Sequence, residues 1–365
     1  MDHAARMRRL QEGLAEHSLD ALLITHPANI RYLCGFSGSA GALLVGDDGA
    51  VFFSDGRYTS QAREEVKGAR TLTVRQAPYL SAGEWLARAR KKARRRGRQT
   101  LGIEADHLTV NAQRRLRKVL PSGLRLRAAP LLVEQARMIK DEEEIERIRR
   151  AVLMGSSLFD TALNVIRVGA TEAEVAAEIE YAARKAGAEG MSFETIVAAG
   201  ARSALPHGRA SEQRIPAKGF VVCDFGVILA GYCSDMTRTV HVGALEGESR
   251  GAYEAVREAQ QAATEAVRPG AAVGKVDRAA RSVLKSAGLA RYLTHSTGHG
   301  VGLEIHEAPR VAAGQEDILR PGMVVTIEPG IYIPGKWGVR IEDMVVVTEK
   351  GSEVLTPTGK QLIEL

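Results

Sequence analysis

Two aspartates inside an apolar segment are the first sign of chemistry in this sequence. The segment VVCDFGVILAGYCSDMTRTV, residues 221–240, reads as two strands that carry Asp224 and Asp235. An isolated buried carboxylate is costly unless it is paired or bound to a metal. With a hairpin turn at Leu229 and Ala230, we expect the two aspartates to face each other directly and to share a proton or hold a cation. The alternative is that both lie at the solvated end of the hairpin.

The last third of the chain adds candidates of matching chemistry. HSTGHGVGLEIHE contains His295, His299 and His306 among glycines, which would let the backbone approach a ligand. Glu328 follows an apolar run in MVVTIEPGIYI, and Glu342 lies inside the apolar strand GVRIEDMVVV. Each glutamate alone could be an outward-facing residue, and each histidine an ordinary core or surface group. Four strand-borne acids in one region, with a glycine-flanked histidine, indicate a shared site.

This combination of side chains matches a pair of metal ions. Four carboxylates balance two divalent cations, and oxygen-rich ligation with one nitrogen favours Mn²⁺, Co²⁺, Fe²⁺ or Zn²⁺. Such a centre generates a nucleophile and polarises a carbonyl group. We therefore expect two divalent metal ions per chain, Mn²⁺ before the others. The candidate ligands are Asp224, Asp235, His299, Glu328 and Glu342.

Other catalytic motifs are missing from the sequence. Neither aspartate lies in the Asp-Thr-Gly or Asp-Ser-Gly motif of an aspartic protease. DFG at residues 224–226 has no HRD loop or glycine-rich ATP loop before it. The HExxH pattern of the zincins is also absent. These absences favour a metal as the reason for the two aspartates.

Length and composition indicate a globular chain with two domains. The chain has 365 residues, of which 45% are hydrophobic and 26% charged. No apolar stretch approaches a membrane span, and the N-terminus lacks the apolar centre of a signal peptide. We therefore expect a cytoplasmic protein without a membrane partner. The three cysteines, Cys34, Cys223 and Cys233, form no disulfide framework or zinc motif, and we expect Cys223 and Cys233 to be packing residues.

The positive charge of the chain is concentrated in one segment. The formal net charge is +6, and residues 88–98, RARKKARRRGR, contain eight basic side chains. No aromatic residue interrupts them to stack on a base. We expect the solvated end of a helix that begins near Glu84 and Trp85, rather than a nucleic-acid site.

The pattern of helices and strands changes along the chain. Residues 1–132 alternate short helices and strands, which predicts an α/β domain. A long helix that starts at KDEEEIERI opens a second domain, residues 133–365, and Thr171 with Glu174 predicts a capping box for the next helix. Two more helices are expected near residues 250–267 and 273–286, before a return to strands. The second domain should be α+β, with helices on one side of a mostly antiparallel sheet.

The chain resembles the pita-bread metallopeptidases, the family of aminopeptidase P, prolidase, methionine aminopeptidase and creatinase. The resemblance implies a C-terminal pita-bread (creatinase/aminopeptidase-like) domain and a smaller, creatinase-like α/β N-terminal domain. For the N-terminal domain, the resemblance is carried by the segments NIRYLCGFSGSAGALLVG and FFSDGRYTSQA. The C-terminal domain rests on SFETIVAAGARSALPHG, CDFGVILAGYCSDMTRTV, HSTGHGVGLEIHE, TIEPGIYI and GVRIEDMVVV, which together cover most of residues 190–347.

The resemblance also implies a role for each candidate ligand. Asp224 would bind one metal ion, and His299 with Glu328 the other. Asp235 and Glu342 would bridge both ions. Glu328 also matches the family's proton shuttle to the nucleophilic hydroxide. Creatinase lacks these ligands, and this chain keeps all five, which argues against creatinase activity.

Further residues match positions that surround the metals in the family. His207 and His306 would contact the substrate and the tetrahedral intermediate. His295 would lie near the substrate pocket. Thr237 and Arg340 would orient the bridging carboxylates.

The implied reaction is hydrolysis of Xaa-Pro bonds, in dipeptides or at peptide N-termini, by a hydroxide that bridges the metals. Methionine aminopeptidases usually lack the N-terminal domain, so Xaa-Pro dipeptidase or Xaa-Pro aminopeptidase is expected, with a proline-containing peptide as substrate and a homodimer as assembly. Two alternatives stay open. One is a methionine-aminopeptidase-like enzyme, and the other is a non-catalytic binding module that uses the basic segment 88–98.

Overall fold

The chain folds into two compact units, Met1–Arg137 and Met138–Leu365. The computed structural model describes residues 1–92 and 99–365, without the side chains of residues 90–92. Most of the basic segment 88–98 lies outside the described residues. The prediction that it is a solvated helix end rather than a binding site therefore stays a prediction. Among the residues described, no helix combines the length and the apolar character that crossing a bilayer requires.

The first unit is built on one mixed six-stranded sheet in the order β4-β3-β2-β1-β5-β6. Its strands are β1 (Ala21–Ile24), β2 (Gly41–Gly46), β3 (Gly49–Asp55), β4 (Arg70–Val74), β5 (Gln99–Ile103) and β6 (Leu124–Ala128). Its helices are α1 (His3–Glu16), α2 (Pro27–Cys34), α3 (Thr59–Glu65), α4 (Pro78–Lys92), α5 (Val110–Val119) and α6 (Leu132–Met138). A short 3₁₀ helix covers Gly56–Tyr58. The alternation of helices and strands is as predicted.

Helix α2 is an element that the sequence analysis did not predict. It has only eight residues, too few for a clear apolar period. Pro27 occupies its first turn, and Gly35 ends it with a φ of 83°. Proline at the start and glycine just past the end are recognised helix signals, and they could have found it.

The second unit contains only antiparallel strand pairs among its described strands. Its strands are β7 (Gly190–Met191), β8 (Ile196–Ala199), β9 (Gly219–Phe225), β10 (Val227–Leu229), β11 (Tyr232–Cys233), β12 (Met236–Val242), β13 (Gly298–Gly300), β14 (Glu307–Val311), β15 (Val324–Ile327), β16 (Gly330–Ile333), β17 (Trp337–Arg340), β18 (Asp343–Val347) and β19 (Ser352–Val354). Its helices are α7 (Glu142–Val165), α8 (Glu172–Lys185), α9 (Gly247–Ala266) and α10 (Val273–Ser286). Two 3₁₀ helices cover Gly200–Ala204 and Ala290–Tyr292. The strands form sheets in the orders β11-β10-β7, β12-β9-β8, β14-β13-β15-β18-β19 and β16-β17.

The predicted helices of the second unit are confirmed. The capping box of Thr171 and Glu174 is present, with both reciprocal hydrogen bonds, and it opens α8. Helix α7 begins with a second capping box, from Asp141 and Glu144, and has three glutamates in its first turn. Those negative charges favour the positive end of the helix dipole.

Two apolar cores lie under these helices and leave the other strand faces to polar residues. Helices α9 and α10 pack on the sheet of β15 and β18, where Val256, Val276 and Val345 are fully buried. Helices α7 and α8 share a core with β9 and β12 that includes Cys223. Because side chains alternate along a strand, Asp224 points to the opposite face from Cys223. The packing role predicted for the buried Cys223 and Cys233 is confirmed.

The hairpin that carries the two aspartates differs from the predicted register. Asp224 pairs with Thr237, not with Asp235, and the turn is formed by Ala230 and Gly231, with φ of 49° and 83°. A two-residue hairpin turn of this kind needs positive φ at both central residues, and glycine adopts it at no steric cost. The turn is therefore one residue later than predicted, which shifts the pairing by two. A shift of two keeps both aspartates on the same face, as diagonal neighbours.

Candidate metal centre

The four acidic side chains predicted as ligands all line one cavity of about 740 Å³ in the second unit. Asp224 is the next-to-last residue of β9, and Asp235 immediately precedes β12. Glu328 follows β15. Glu342 lies in the two-residue break between β17 and β18, not inside a strand as predicted. The four carboxylates therefore lie at or just beyond strand ends, where the backbone can turn toward the cavity.

His299 lies next to these carboxylates. Its Nε2 atom is 3.6 Å from Asp235 Oδ2 and 3.6 Å from Glu328 Oε1. Potential ligand atoms of Asp235, His299 and Glu342 lie within 4.8 Å of one another. Nδ1 donates to the Gly300 carbonyl at 3.0 Å, which leaves the Nε2 lone pair for a ligand. Burial lowers the pKa of His299 to about 4, so the ring is neutral near pH 7 and can bind a metal.

The glycines beside His299 lie where neighbouring strands come close. A Cβ on Gly298 would lie 1.9 Å from the carbonyl oxygen of Thr326, and one on Gly300 would lie 2.2 Å from that of Ala308. They allow neighbouring backbone to come close. His299 is thereby held between two tightly packed strands.

The carboxylates repel one another in the absence of a cation. Burial, followed by the charges of Glu342, Asp224 and Glu328, raises the pKa of Asp235 well above its usual range. Burial, together with Glu328 and Asp224, does the same for Glu342. Burial raises the pKa of Glu328 to about 8, with Asp224 adding to the effect and Arg340 opposing it. Such crowding is stable with ionised groups only if a positive ion is present.

Two buried oxygens identify where such an ion would fit. Asp224 Oδ1 and Glu342 Oε1 have no hydrogen-bond partner among the described residues. Buried carboxylate oxygens are normally paired, so an unpaired one inside an acidic cluster is suited to a cation. The donor set of carboxylate oxygens and one imidazole nitrogen fits the divalent metals predicted from the sequence.

Thr237 and Arg340 hold the other oxygens of these carboxylates. Thr237 Oγ1 donates to Glu342 Oε2 at 2.7 Å and accepts from Arg340 Nε at 3.0 Å. A terminal nitrogen of Arg340 lies 2.5 Å from Asp224 Oδ2. Arg340 therefore contacts Asp224 directly and reaches Glu342, one of the carboxylates that the resemblance assigns to both metals, through Thr237. Because β9 pairs with β12, Asp224 lies beside Thr237, and the Arg340 side chain can reach both.

Tyr332 is a site residue that the sequence analysis did not single out. Its hydroxyl accepts from Arg340 at 2.6 Å and lies 2.9 Å from His295 Nε2. His295 Nδ1 is 2.6 Å from the Ser296 carbonyl, which can only accept, so Nδ1 carries the proton and Nε2 accepts from Tyr332. Burial lowers the pKa of His295 to about 4. Both nitrogens of His295 are thus engaged by the protein, although its ring lines the cavity.

The two remaining histidines lie at the edge of the cavity. His207 and His306 both line it and are exposed. The His306 ring centroid is 4.4 Å from that of His299. Partial burial of the His306 ring against the cavity wall lowers its pKa, so the neutral ring can donate a hydrogen bond to an incoming group.

Comparison with known proteins agrees with this arrangement over the whole chain. Residues 146–349 match metallopeptidase family M24, and residues 6–139 match the creatinase/prolidase N-terminal domain. An Xaa-Pro dipeptidase of Pyrococcus furiosus is 39% identical over 360 residues, which cover 98% of this chain and 99% of that protein.

Solved structures give the same result for the fold. The Xaa-Pro dipeptidase from Bacillus anthracis matches with a TM-score of 0.93 and 38% identity, and the match covers 100% of both chains. An X-Pro aminopeptidase from Thermotoga maritima matches with a TM-score of 0.88 and 34% identity over 99% of this chain and 100% of that one. The predicted pita-bread domain with a creatinase-like N-terminal domain is confirmed, and the chain belongs to metallopeptidase family M24.

Proposed function

We propose that this protein is an Xaa-Pro dipeptidase that works with two divalent metal ions, Mn²⁺ before Co²⁺, Zn²⁺ or Fe²⁺. The observation that carries the proposal is that four carboxylates and His299 line one cavity, with two buried carboxylate oxygens that lack a partner among the described residues. Relatives and solved structures named Xaa-Pro dipeptidase match nearly the full chain, which supports the substrate class.

Five side chains would hold the metals. In keeping with the family resemblance, Asp224 would hold one ion, His299 and Glu328 would hold the other, and Asp235 and Glu342 would be shared between them. When bound, the ions supply an activated water as nucleophile and polarise the scissile carbonyl. Neutralising the excess negative charge also lets all four carboxylates ionise together.

The protein's own residues would orient the substrate and move the protons. Glu328 would accept a proton from the attacking water at a carboxylate oxygen and pass it to the proline nitrogen as the C–N bond breaks, which leaves the water oxygen on the new carboxyl group. His306 donates a hydrogen bond to the oxygen on which negative charge develops. His207 contacts the substrate from the exposed edge of the cavity, and His295 shapes the pocket that receives proline.

Dipeptidase and aminopeptidase activity differ in how much chain can extend beyond proline. Solved neighbours carry both names, and those named dipeptidase or prolidase include the full-length match with the TM-score of 0.93. We take the dipeptidase as the first assignment and the aminopeptidase as the alternative. A homodimer remains part of the proposal, and sedimentation of the purified protein would test it.

A substrate panel tests the assignment. The purified protein is incubated with Mn²⁺, Co²⁺ or Zn²⁺ and with Gly-Pro, Ala-Pro, an Xaa-Pro-Xaa tripeptide and Met-Ala-Ser. We expect cleavage of the two dipeptides and loss of activity with a chelator. Preference for the tripeptide would indicate an aminopeptidase, and cleavage of Met-Ala-Ser alone a methionine aminopeptidase. Activity that survives exhaustive metal removal would exclude the metal mechanism.

A further inference from the structure

A buried cation lies directly behind the metal centre. Arg238 follows Thr237 in β12 and is 2% exposed. Neighbouring side chains in a strand point to opposite faces, so its guanidinium points away from the face on which Thr237 bonds to Glu342. A buried guanidinium is costly unless its charge and its N–H groups are satisfied. The groups that satisfy them are therefore held in fixed positions.

The Arg238 guanidinium is satisfied almost entirely by main chain. It donates to four carbonyl oxygens at 2.5–3.0 Å and to one carboxylate at 2.7 Å. The carbonyls belong to Thr237, Glu342, Thr358 and Gly359, and the carboxylate belongs to Asp343. The planar fork of an arginine can make this set of contacts, and the single ammonium of a lysine cannot.

Arg238 completes the support of Glu342. Glu342 lies between two strands, so no regular strand pairing fixes it. Its side chain accepts from Thr237 Oγ1 at 2.7 Å, its N–H donates to the Thr237 carbonyl at 3.1 Å, and its carbonyl accepts from Arg238 at 2.5 Å. These three bonds aim the unpaired Oε1 atom into the acidic cluster.

The ion-pair partner of Arg238 extends this support toward the C-terminus and Glu328. The second oxygen of Asp343 accepts from Lys360 Nζ at 2.7 Å and from Gln260 at 2.9 Å. Asp343 also pairs in the sheet with Ile327, the residue before Glu328. One buried cluster thus braces the backbone next to two proposed ligands.

We propose that Arg238 is a positioning residue of the metal centre, that it acts through Glu342, and that residues 358–360 of the C-terminal segment complete its binding site. The inference rests on the proposed function, because it takes Glu342 as a metal ligand. It adds a residue that touches neither metal nor substrate, and it gives the C-terminal segment a role in metal binding.

Two substitutions test the proposal. Arg238→Met removes the fork but leaves Asp343 paired with Lys360, so no buried charge is left uncompensated. Arg238→Lys keeps the charge and loses most of the carbonyl contacts. The control is Arg149→Met, which breaks the Arg149–Glu353 ion pair in the same unit, away from the cavity.

Metal affinity of the chelator-stripped proteins is the decisive measurement. Titration with Mn²⁺ in competition with a chromophoric chelator should show a dissociation constant about 10–100-fold weaker for both Arg238 variants. Arg149→Met should bind like the parent. At saturating Mn²⁺, Arg238→Met should recover activity with an unchanged KM for Gly-Pro.

Each outcome decides the proposal. Parental Mn²⁺ affinity in the Arg238 variants would overturn it, even if they unfold at a lower temperature, because Arg238 would then only support the fold. If Arg238→Met does not fold, Arg238→Lys gives the answer. A parent protein that binds two Mn²⁺ but cleaves no proline peptide would overturn the proposed function and leave this test intact.

Discussion

His299 and His306 belong to one short segment, and their rings touch, with centroids 4.4 Å apart. Their surroundings nevertheless differ. The free nitrogen of His299 faces two carboxylates at 3.6 Å, whereas His306 is exposed at the cavity edge. Contact between the rings therefore does not imply a shared role, and we assign metal binding to the first and oxyanion binding to the second.

Substitution of each histidine should separate these roles. His299→Ala removes a ligand and should weaken the binding of one metal ion. His306→Ala should keep close to two metals per chain and lose about 10²–10³-fold in kcat, the effect of removing one oxyanion donor. Metal analysis after dialysis and Gly-Pro kinetics on both variants measure this. Loss of metal from His306→Ala alone would reverse the two assignments.

The sequence revealed site residues whose type is unusual in an apolar strand, and it missed those whose type is ordinary there. Carboxylates in apolar strands are unusual, so Asp224, Asp235 and Glu342 could be selected by type and position alone. A tyrosine or arginine in a strand is ordinary, and Tyr332 and Arg238 gave no such signal. Arg238 and Asp343 are 105 residues apart in the sequence, and Tyr332 and His295 are 37 apart, so only the fold brings these pairs together.

At the scale of the element, the hairpin of β9 to β12 shows why register is harder to predict than face. Apolar alternation fixes which side chains share a face, and any even shift preserves that pattern. The conformation of the turn selects among the even shifts, and here Gly231 selects the later one. The prediction therefore had the correct face for both aspartates and the wrong partner for Asp224.

The same hairpin contains a close approach that should tolerate no side chain. A Cβ on Gly226 would lie 1.8 Å from the Ser234 carbonyl oxygen and 3.2 Å from the Cα of Asp235. Gly226→Ala must push the backbone before Asp235 away from β9. We expect a loss of about 3 kcal/mol in the free energy of unfolding and weaker Mn²⁺ binding, since Asp235 moves with its backbone.

Gly251→Ala is the matched control for this substitution. Gly251 lies in α9 and is exposed, and a Cβ there would have no atom within 4 Å. Alanine at this position should stabilise the helix by about 0.5–1 kcal/mol and leave Mn²⁺ affinity unchanged. Urea unfolding of the metal-free proteins measures the change in stability of both variants, and Mn²⁺ titration measures their metal affinity. A Gly226→Ala protein as stable as the parent would show that the two strands can separate without cost.

At the scale of the molecule, the change from alternating short helices and strands to longer helices followed by strands predicted the two kinds of unit. Long helices were the most reliable part of that prediction. Helices α7 to α10 have enough turns for an apolar period, and α7 and α8 also begin with capping boxes, so the positions of these helices were foreseen. The division of the second unit into several short sheets was not, because strand order depends on contacts distant in sequence. The exact boundary at residue 133 stays a prediction.

All five proposed metal ligands lie in the second unit, so metal binding should stabilise the two units unequally. A ligand at 100 times its dissociation constant stabilises the folded state that binds it by about 2.7 kcal/mol. Hydrogen exchange of the parent, with Mn²⁺ and after chelation, localises that gain to peptides. Exchange should slow most in peptides that contain β9, β12, β15 and β18, and change little in residues 1–92 and 99–137. Protection spread evenly over both units would mean that the metal acts on the whole chain, and no protection in any peptide would mean that the folded protein does not bind Mn²⁺.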